Sequence, residues 1–554
     1  MAGGPSGTAE GVSNASLVWA VIMSAFAAFG GILFGYDTGT IGGAIQMDNW
    51  LETFGSFDST HFLGSQTNGY YLRTADKSLV VSILSAGTFF GALLAFPMGD
   101  MVGRKYGITF SCVIFALGVG LQLDTKWSTF VVGRVIAGLG VGLVSCLVPM
   151  YQSECSPKNI RGLIVGLYQL AITIGALLAA IVLNATKDKQ SHAAWRIPIA
   201  VQFCWAFILG GGMLLLPESP RYLLYKDRVD AARRALGRLT NRPADSPEVE
   251  AECTEITLAL EAERAVGNGS YADCFKNTEL RQGFRTWTAI MLQGWQQLTG
   301  INFVTLLIAS STDGTSFFAS AGIKNPFIIT VIADVVNTCM TIVGIQLIDR
   351  VGRRRLLLIG AAGMMVCEYI VAIVGVAAGQ IAADGSVNVT AQRVLIAFVC
   401  FYIAFFATSW GPVAWVVTGE IFPLTIRAKG MSLAVASNWL WNFGIGYATP
   451  YLVDPSTKGQ PNGVATAGLR VKVFFIWGST CLGCLIFAYF FIPETKGLSL
   501  EQIDLLYKES SITGSEKYRK QMIAQNETHA HHEKHVSSQD DSHDERVDER
   551  VDKV

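Results

Sequence analysis

The chain has 554 residues, of which 51% are apolar and only 15% charged, with 43 acidic against 42 basic side chains and a formal net charge of −1. A soluble protein carries roughly 25% charged residues to wet its surface, so two soluble domains of this length are excluded and lipid must be the solvent for much of the surface. The near-zero net charge gives no electrostatic reason to expect a nucleic-acid partner.

Apolar stretches of about twenty residues, long enough to cross a bilayer, begin near Leu17, Leu79, Tyr106, Phe130, Leu163 and Trp195. Six more begin near Trp287, Pro326, Leu356, Gln392, Met431 and Val471. These twelve segments predict an all-α membrane protein. The first run, 17–45, is too long for a cleavable signal peptide and lacks a cleavage site. Residues 1–16 form a short leading segment, 17–216 a first six-helix bundle and 286–492 a second. Between them, 217–285 is polar and rich in Arg and Glu, and 247–266 has the periodicity of surface helices. The tail, 493–554, opens helix-like (LSLEQIDLLYKE) and ends in a His/Asp/Glu/Lys run of disordered composition. The eleven cysteines read as packing residues, since most lie in apolar runs. No metal site or cofactor is called for, and the tail histidines read as a solvated run. GLGVGLVS, from Gly138, reads as close helix packing rather than a dinucleotide loop.

The loops 103–107, 156–162, 349–356 and 424–430 are densely basic. With Arg221, Arg281, Arg285 and Lys496 they outweigh the opposite loops, so the positive-inside rule places them, the linker and both termini in the cytoplasm. Asn184-Ala-Thr and Asn388-Val-Thr then fall outside, as candidate glycosylation sites.

An internal repeat is the strongest signal. Asp100-x-x-Gly103-Arg104 recurs as Asp349-x-x-Gly352-Arg353, and Glu154 with Arg161 recurs as Glu420 with Arg427. PESPR at Pro217 is echoed by PETKG at Pro493. Three charged motifs recurring in order predict two related six-helix halves, a transporter architecture with its site between them.

The motifs GDMVGRK, PMYQSECSPKNIRG, PESPRYLL, QQLTGIN, DRVGRRR, GPVAWVVTGEIFPLTIRAKG and PETKG together resemble the sugar porters of the major facilitator superfamily. The likeness covers about 17–496, and FGYDTGTIGG with WGPVAWVV is most similar to fungal hexose transporters. The resemblance implies two six-helix bundles rocking about a central sugar site, in the plasma membrane, with a monosaccharide, glucose or another hexose, as cargo. Facilitative carriers and non-transporting sensors share the fold. The sensors, however, carry much longer tails. No nucleophile–base pair suggests an enzyme.

Three groups of residues should carry the chemistry. The repeated charges Asp100, Arg104, Glu154, Arg161, Asp349, Arg353, Glu420 and Arg427 can form paired networks at the cytoplasmic mouth, a bistable gate latching the halves in one state. Asp37, a carboxylate inside an apolar segment, marks an ion or substrate path, with Arg134 as the other buried charge of the first half. Resemblance to proton-coupled sugar porters pairs the two, so that protonating Asp37 breaks the pair.

The third group is uncharged. A neutral polyhydroxylated ligand needs amides, hydroxyls and an aromatic face. Membrane segments supply Gln169, Gln296, Gln297, Asn302, Asn337, Trp415, Asn438, Trp439 and Asn442. The resemblance makes Gln169, Gln296, Gln297, Asn302, Asn337, Trp415 and Asn442 the sugar contacts, with a break expected at Gly300. After Asn302, Leu306 and Leu307 stand where the family carries paired aromatics, and the stretch before Phe317 is longer.

Overall fold

The structure, a computed structural model, describes residues 22–23, 25–57, 69–155, 161–266, 270–276, 279–304, 326–378, 388–423, 426–453, 465–498 and 500–524. The first half comprises α1 (Phe29–Ala44), α2 (Asp48–Phe54), a two-residue antiparallel hairpin, β1 (Ser56–Phe57) with β2 (Tyr70–Tyr71), α3 (Thr74–Val102), α4 (Arg104–Gln122), α5 (Trp127–Cys155), α6 (Arg161–Thr186) and α7 (Ala193–Leu215). The linker folds as α8 (Pro220–Tyr225), α9 (Val229–Thr240) and α10 (Pro247–Val266). The second half comprises α11 (Gln282–Leu298), α12 (Pro326–Val351), α13 (Arg353–Ala377), α14 (Val389–Thr408), α15 (Trp410–Glu420), α16 (Arg427–Val453) and α17 (Val473–Phe491), followed by α18 (Leu500–Glu509) in the tail.

Among the described residues nine helices are long and apolar enough to cross a membrane, with α14 and α15 together making one, Val389–Glu420. The other three expected segments are the described part of α1, the glutamine-rich α11 and the 27-residue α16. α16 carries Asn438 and Asn442 with several serines, glycines and tryptophans inside the run, which lowers its hydropathy without shortening it. α14 and α15 are divided where Pro412, in Trp410-Gly-Pro, has no N–H to give Thr408 O.

Each half has its own apolar core, and the linker helices enclose a third around Leu236, Val249 and Cys253. Within the first half α5 packs against α3 so closely that a Cβ at Gly138 or Gly142 would fall 2.2 Å from Leu84 O or Thr88 O, so GLGVGLVS is a packing motif here. The halves meet where α3 lies along α16 and α6 along α12. Four second-half residues, Trp415, Val435, Ala436 and Trp439, belong to the first half's core. On the outer surface Phe90, Leu117, Phe207, Ile359 and Phe401 stand exposed, a belt only lipid can solvate. All eleven cysteines are free. Cys481 and Cys484 have the C-x-x-C spacing of metal and redox sites, but their thiols lie against Thr299 O and Trp295 O in the core.

Candidate functional site

The expected amides converge between the halves. α11 presents Gln293, Gln296 and Gln297 on one face, four and three residues apart as helical geometry requires. Opposite, α16 presents Asn438 and Asn442. Asn438 Nδ2 donates to Gln293 Oε1 at 2.7 Å and to Gln296 Oε1 at 2.8 Å, and its Oδ1 accepts from Gln297 Nε2 at 3.0 Å. Gln297 Oε1 accepts from Asn442 at 3.2 Å and from Asn302. Gln296 Nε2 donates to Trp410 O at 3.0 Å and Gly411 O at 2.9 Å, two carbonyls in the first turn of α15. The break expected at Gly300 is present: its φ is +87° and α11 ends at Leu298, which turns Asn302 back toward Gln297.

The lattice is hydrogen-bonded to the first half at Ser85 and has Gln169 close by. Ser85 on α3 donates to Asn442 Oδ1 at 2.6 Å, and Gln169 Nε2 on α6 lies 3.6 Å from where a Cβ on Gly411 would stand. Trp415 is nearly buried, with its ring edge-on to Tyr168 at 6.2 Å. Trp439 donates to Ser145 Oγ at 3.4 Å and sets its ring 4.9 Å from Phe34. Asn337, on α12, is not hydrogen-bonded to this lattice among the described residues, and its Oδ1 is buried without a partner. Leu306, Leu307 and Phe317 lie outside the described residues. An arrangement of amides, hydroxyls and indole faces without a net charge can bind a neutral polyol by exchanging its internal hydrogen bonds for those of the ligand.

Asp37 on α1 and Arg134 on α5 form a buried pair, 0% and 1% exposed, with Arg134 Nη1 donating to Asp37 Oδ1 at 3.2 Å. Gln202 of α7 approaches the same carboxylate, so three helices of the first half meet at one charge. Arg134 Nε and Nη2 have no hydrogen-bond partner among the described residues.

The repeated charges form two networks of the same make-up. In the first half Arg104 donates to Glu154 at 3.0 Å and to Asp100 at 3.4 Å, and Glu154 accepts from Ser219. In the second, Arg353 donates to Glu420 and to Asp349, each at 2.9 Å, and Glu420 accepts from Thr495 at 2.8 Å. Gly103 (φ +99°) and Gly352 (φ +103°) make the turns, a conformation side chains disfavour. The turns aim the backbone N–H groups of Arg104 and Lys105 at Glu218, and that of Arg353 at Glu494. Burial pushes the Glu218 carboxyl above the usual range, and the N–H groups of Ser219, Lys105 and Arg104 pull it back. Arg427 donates to Phe422 O at 3.2 Å, and Arg161 opens α6 with its side chain outside the described residues. Every described ion pair of these networks stays within one half. What crosses the interface nearby is Ser432 Oγ on α16 donating to Ala92 O at 2.8 Å, and Lys429, 4.9 Å over the Phe96 ring and within electrostatic reach of Asp100.

Sequence reasoning missed several residues. Ser85, Gln293 and Thr418, which accepts from Gln293 at 3.1 Å, complete the amide lattice. Asp334 and Glu368 are buried carboxyls of the second half, Glu368 beside Cys481 and Tyr402. Glu368 sits in the apolar run GMMVCEYIVAIVG, the same signal that singled out Asp37.

Residues 23–507 match the family model described as "Sugar (and other) transporter". The chain is 48% identical over 94% of its length to the "Major facilitator-type transporter ecdD" of Aspergillus rugulosus, covering 93% of that protein. It is 44% identical over 88% of its length to the "Probable glucose transporter rco-3" of Neurospora crassa, covering 79% of it. The fold is similar to the major facilitator proton:xylose symporter XylE of E. coli, solved with 6-bromo-6-deoxy-D-glucose bound. The TM-score is 0.68 at 27% identity, over 89% of this chain and 100% of that one.

Proposed function

The chain belongs to the sugar transporter family of the major facilitator superfamily, as an integral membrane protein, and we propose that it carries a monosaccharide, glucose or another hexose, by alternating access coupled to protons. The observation that carries the reading is the uncharged lattice Gln293–Asn438–Gln296–Gln297–Asn302–Asn442. It is bridged to the first half by Ser85 and flanked by Gln169, which stands against Gly411. A sugar entering between α11, α15 and α16 displaces amide–amide bonds and takes them for its hydroxyls, while Trp415 offers its ring to the C–H face. Because the lattice touches both halves, ligand binding draws them together, and the same contacts are offered from either side.

Proton coupling rests on Asp37 and Arg134. A proton on Asp37 neutralises the carboxylate and frees Arg134, and with it the packing of α1, α5 and α7. The loaded carrier then reorients only when protonated. Closure of the inner mouth rests on Arg104–Glu154–Asp100 and Arg353–Glu420–Asp349, which hold the ends of each half rigid so that Ser432 and Lys429 can seat on α3. The termini and linker are assigned to the cytoplasm and the chain to the plasma membrane. Uptake of labelled glucose by a cell lacking its own hexose carriers tests the reading. Uptake should saturate, fall as external pH rises and collapse with a protonophore. Equilibrative uptake indifferent to the protonophore would leave a facilitative carrier instead.

A further inference from the structure

Beside the first network, on the linker side of the membrane, lies an open groove of about 560 Å³. Four basic side chains line it, Lys105, Arg228, Arg234 and Arg238, and Glu218 is the one acid among the lining residues. Glu218 is already occupied by the N–H groups of Arg104, Lys105 and Ser219. Lys105 and Arg238 cap the free carbonyls at the end of α7, donating to Leu214 O at 2.8 Å and Leu215 O at 2.9 Å. The exposed side chains of Arg228 and Arg234 make no hydrogen bond or ion pair among the described residues. The groove therefore carries uncompensated positive charge.

The repeat shows what such a groove lacks. Arg354, two residues past Gly352, caps Tyr489 O at 2.7 Å as Lys105, two past Gly103, caps Leu214 O. There, however, the tail folds back over the turn: Glu516 pairs with Arg355, Ser515 accepts from the Glu494 N–H at 3.1 Å, and Arg519 donates to Lys496 O at 2.9 Å. The second half brings its own anion. The first half follows its PES motif with α8 and α9; Arg234 and Arg238 of α9 lie one turn apart on the face turned to the groove, while the linker acids Glu250 and Glu248 pair with Arg233 and Arg242 and are not among the lining residues.

We infer that this groove binds the phosphate headgroup of an anionic glycerophospholipid from the leaflet adjoining the linker. The groove opens where Met101 and Tyr106 project from the ends of α3 and α4, 77% and 53% exposed, beside Leu215 at the end of α7, 75% exposed, whose carbonyl Arg238 caps. Such side chains are solvated by acyl chains, while Lys/Arg clusters beside a membrane helix select anionic headgroups. A headgroup seated there lies against Tyr222, whose ring is 5.3 Å from the Arg104 guanidinium, so occupancy reinforces the first network. The inference goes beyond the transport reading and needs only that the chain spans a bilayer.

The test is retention of dioleoyl-phosphatidylserine against dioleoyl-phosphatidylcholine by the purified full chain, followed by native mass spectrometry. A basic residue near an anionic leaflet contributes about 1 kcal/mol, or about fivefold in affinity. Arg228→Gln/Arg234→Gln should therefore lose roughly 25-fold in phosphatidylserine affinity with phosphatidylcholine unchanged. Arg393→Gln, at the other end of the bundle, should bind as the parent does. Equal retention of the two lipids by the parent, or of phosphatidylserine by parent and double variant, overturns the assignment. Inositol hexakisphosphate separates the sources: binding as tight as phosphatidylserine would make the ligand a soluble phosphate and sink the lipid reading.

Discussion

Asp37→Asn separates what the buried pair does for folding from what it does for coupling. Asp37 and Arg134 are 0% and 1% exposed and 3.2 Å apart. At an effective dielectric of ~20, unit charges about 4 Å apart attract by ~4 kcal/mol. Removing one member of a buried pair costs ~3–5 kcal/mol, largely because the survivor is left unpaired. Here that survivor already has two guanidinium nitrogens without partners, so Asp37→Asn should cost ~3 kcal/mol. Arg134→Met should cost a similar amount. The double variant should lose only about 1 kcal/mol, leaving a coupling energy of ~5 kcal/mol in the cycle. Reversible unfolding in detergent gives the energies, and proteoliposomes give the transport. The neutral amide of Asp37→Asn mimics the protonated state, so gradient-driven accumulation should vanish while sugar counterflow persists. Additive losses in the cycle, or concentrative uptake by Asp37→Asn, would refute the coupling role.

Gln296→Ala should weaken sugar binding by about 1–3 kcal/mol without blocking membrane insertion, because Asn438 Nδ2 and the carbonyls of Trp410 and Gly411 lose a partner the ligand also uses. Trp415→Ala should do the same through the lost ring face, and near-parental affinity in both variants by ligand-quenched tryptophan fluorescence would remove the site assignment. Arg104→Gln or Arg353→Gln should loosen the inner mouth and raise cytoplasm-side labelling of a cysteine placed in the cavity, and unchanged labelling in both leaves those residues only a topological role. Gly103→Ala and Gly352→Ala should each destabilise by ~2 kcal/mol or more, since a Cβ would sit 2.4 Å from Glu218 or 2.5 Å from Glu494 in an extended positive-φ turn that essentially only glycine adopts. Thermal unfolding that tolerates one glycine change and not the other would break the equivalence of the two networks.

What was legible in the sequence is what local constraint writes there. Apart from α1, whose described span begins at Phe29 rather than near Leu17, the membrane helices start within about five residues of where hydropathy put them, and α10 and α18 fall where the linker and tail patterns indicated. The Asp-x-x-Gly-Arg repeat was readable because each copy is a single tight turn. That Glu218 and Glu494 complete those turns was not, although the PES and PET echo was seen. An acid accepting backbone N–H groups leaves no residue-type partner to find, and its role depends on the φ of a glycine over 100 residues away.

The amide lattice divides along the same line. Gln296, Gln297 and Asn302 could be joined from spacing plus a break at Gly300, all within one stretch of chain. Ser85 and Gln169 enter only because α3 lies along α16 and α6 lies beside α15, and no spacing encodes that packing. A serine in an apolar helix ordinarily bonds its own preceding turn, as Ser82 and Ser111 do here, so Ser85 carries no sign of its different partner. Glu368 is a different kind of omission, since the rule that flagged Asp37 applies to it unchanged. Asn337 marks the opposite limit: the resemblance assigned it to the sugar, yet its amide stands outside the lattice. If it joins on binding, α12 must move against α11, and that motion is what an alternating-access carrier requires of the helices bordering its cavity.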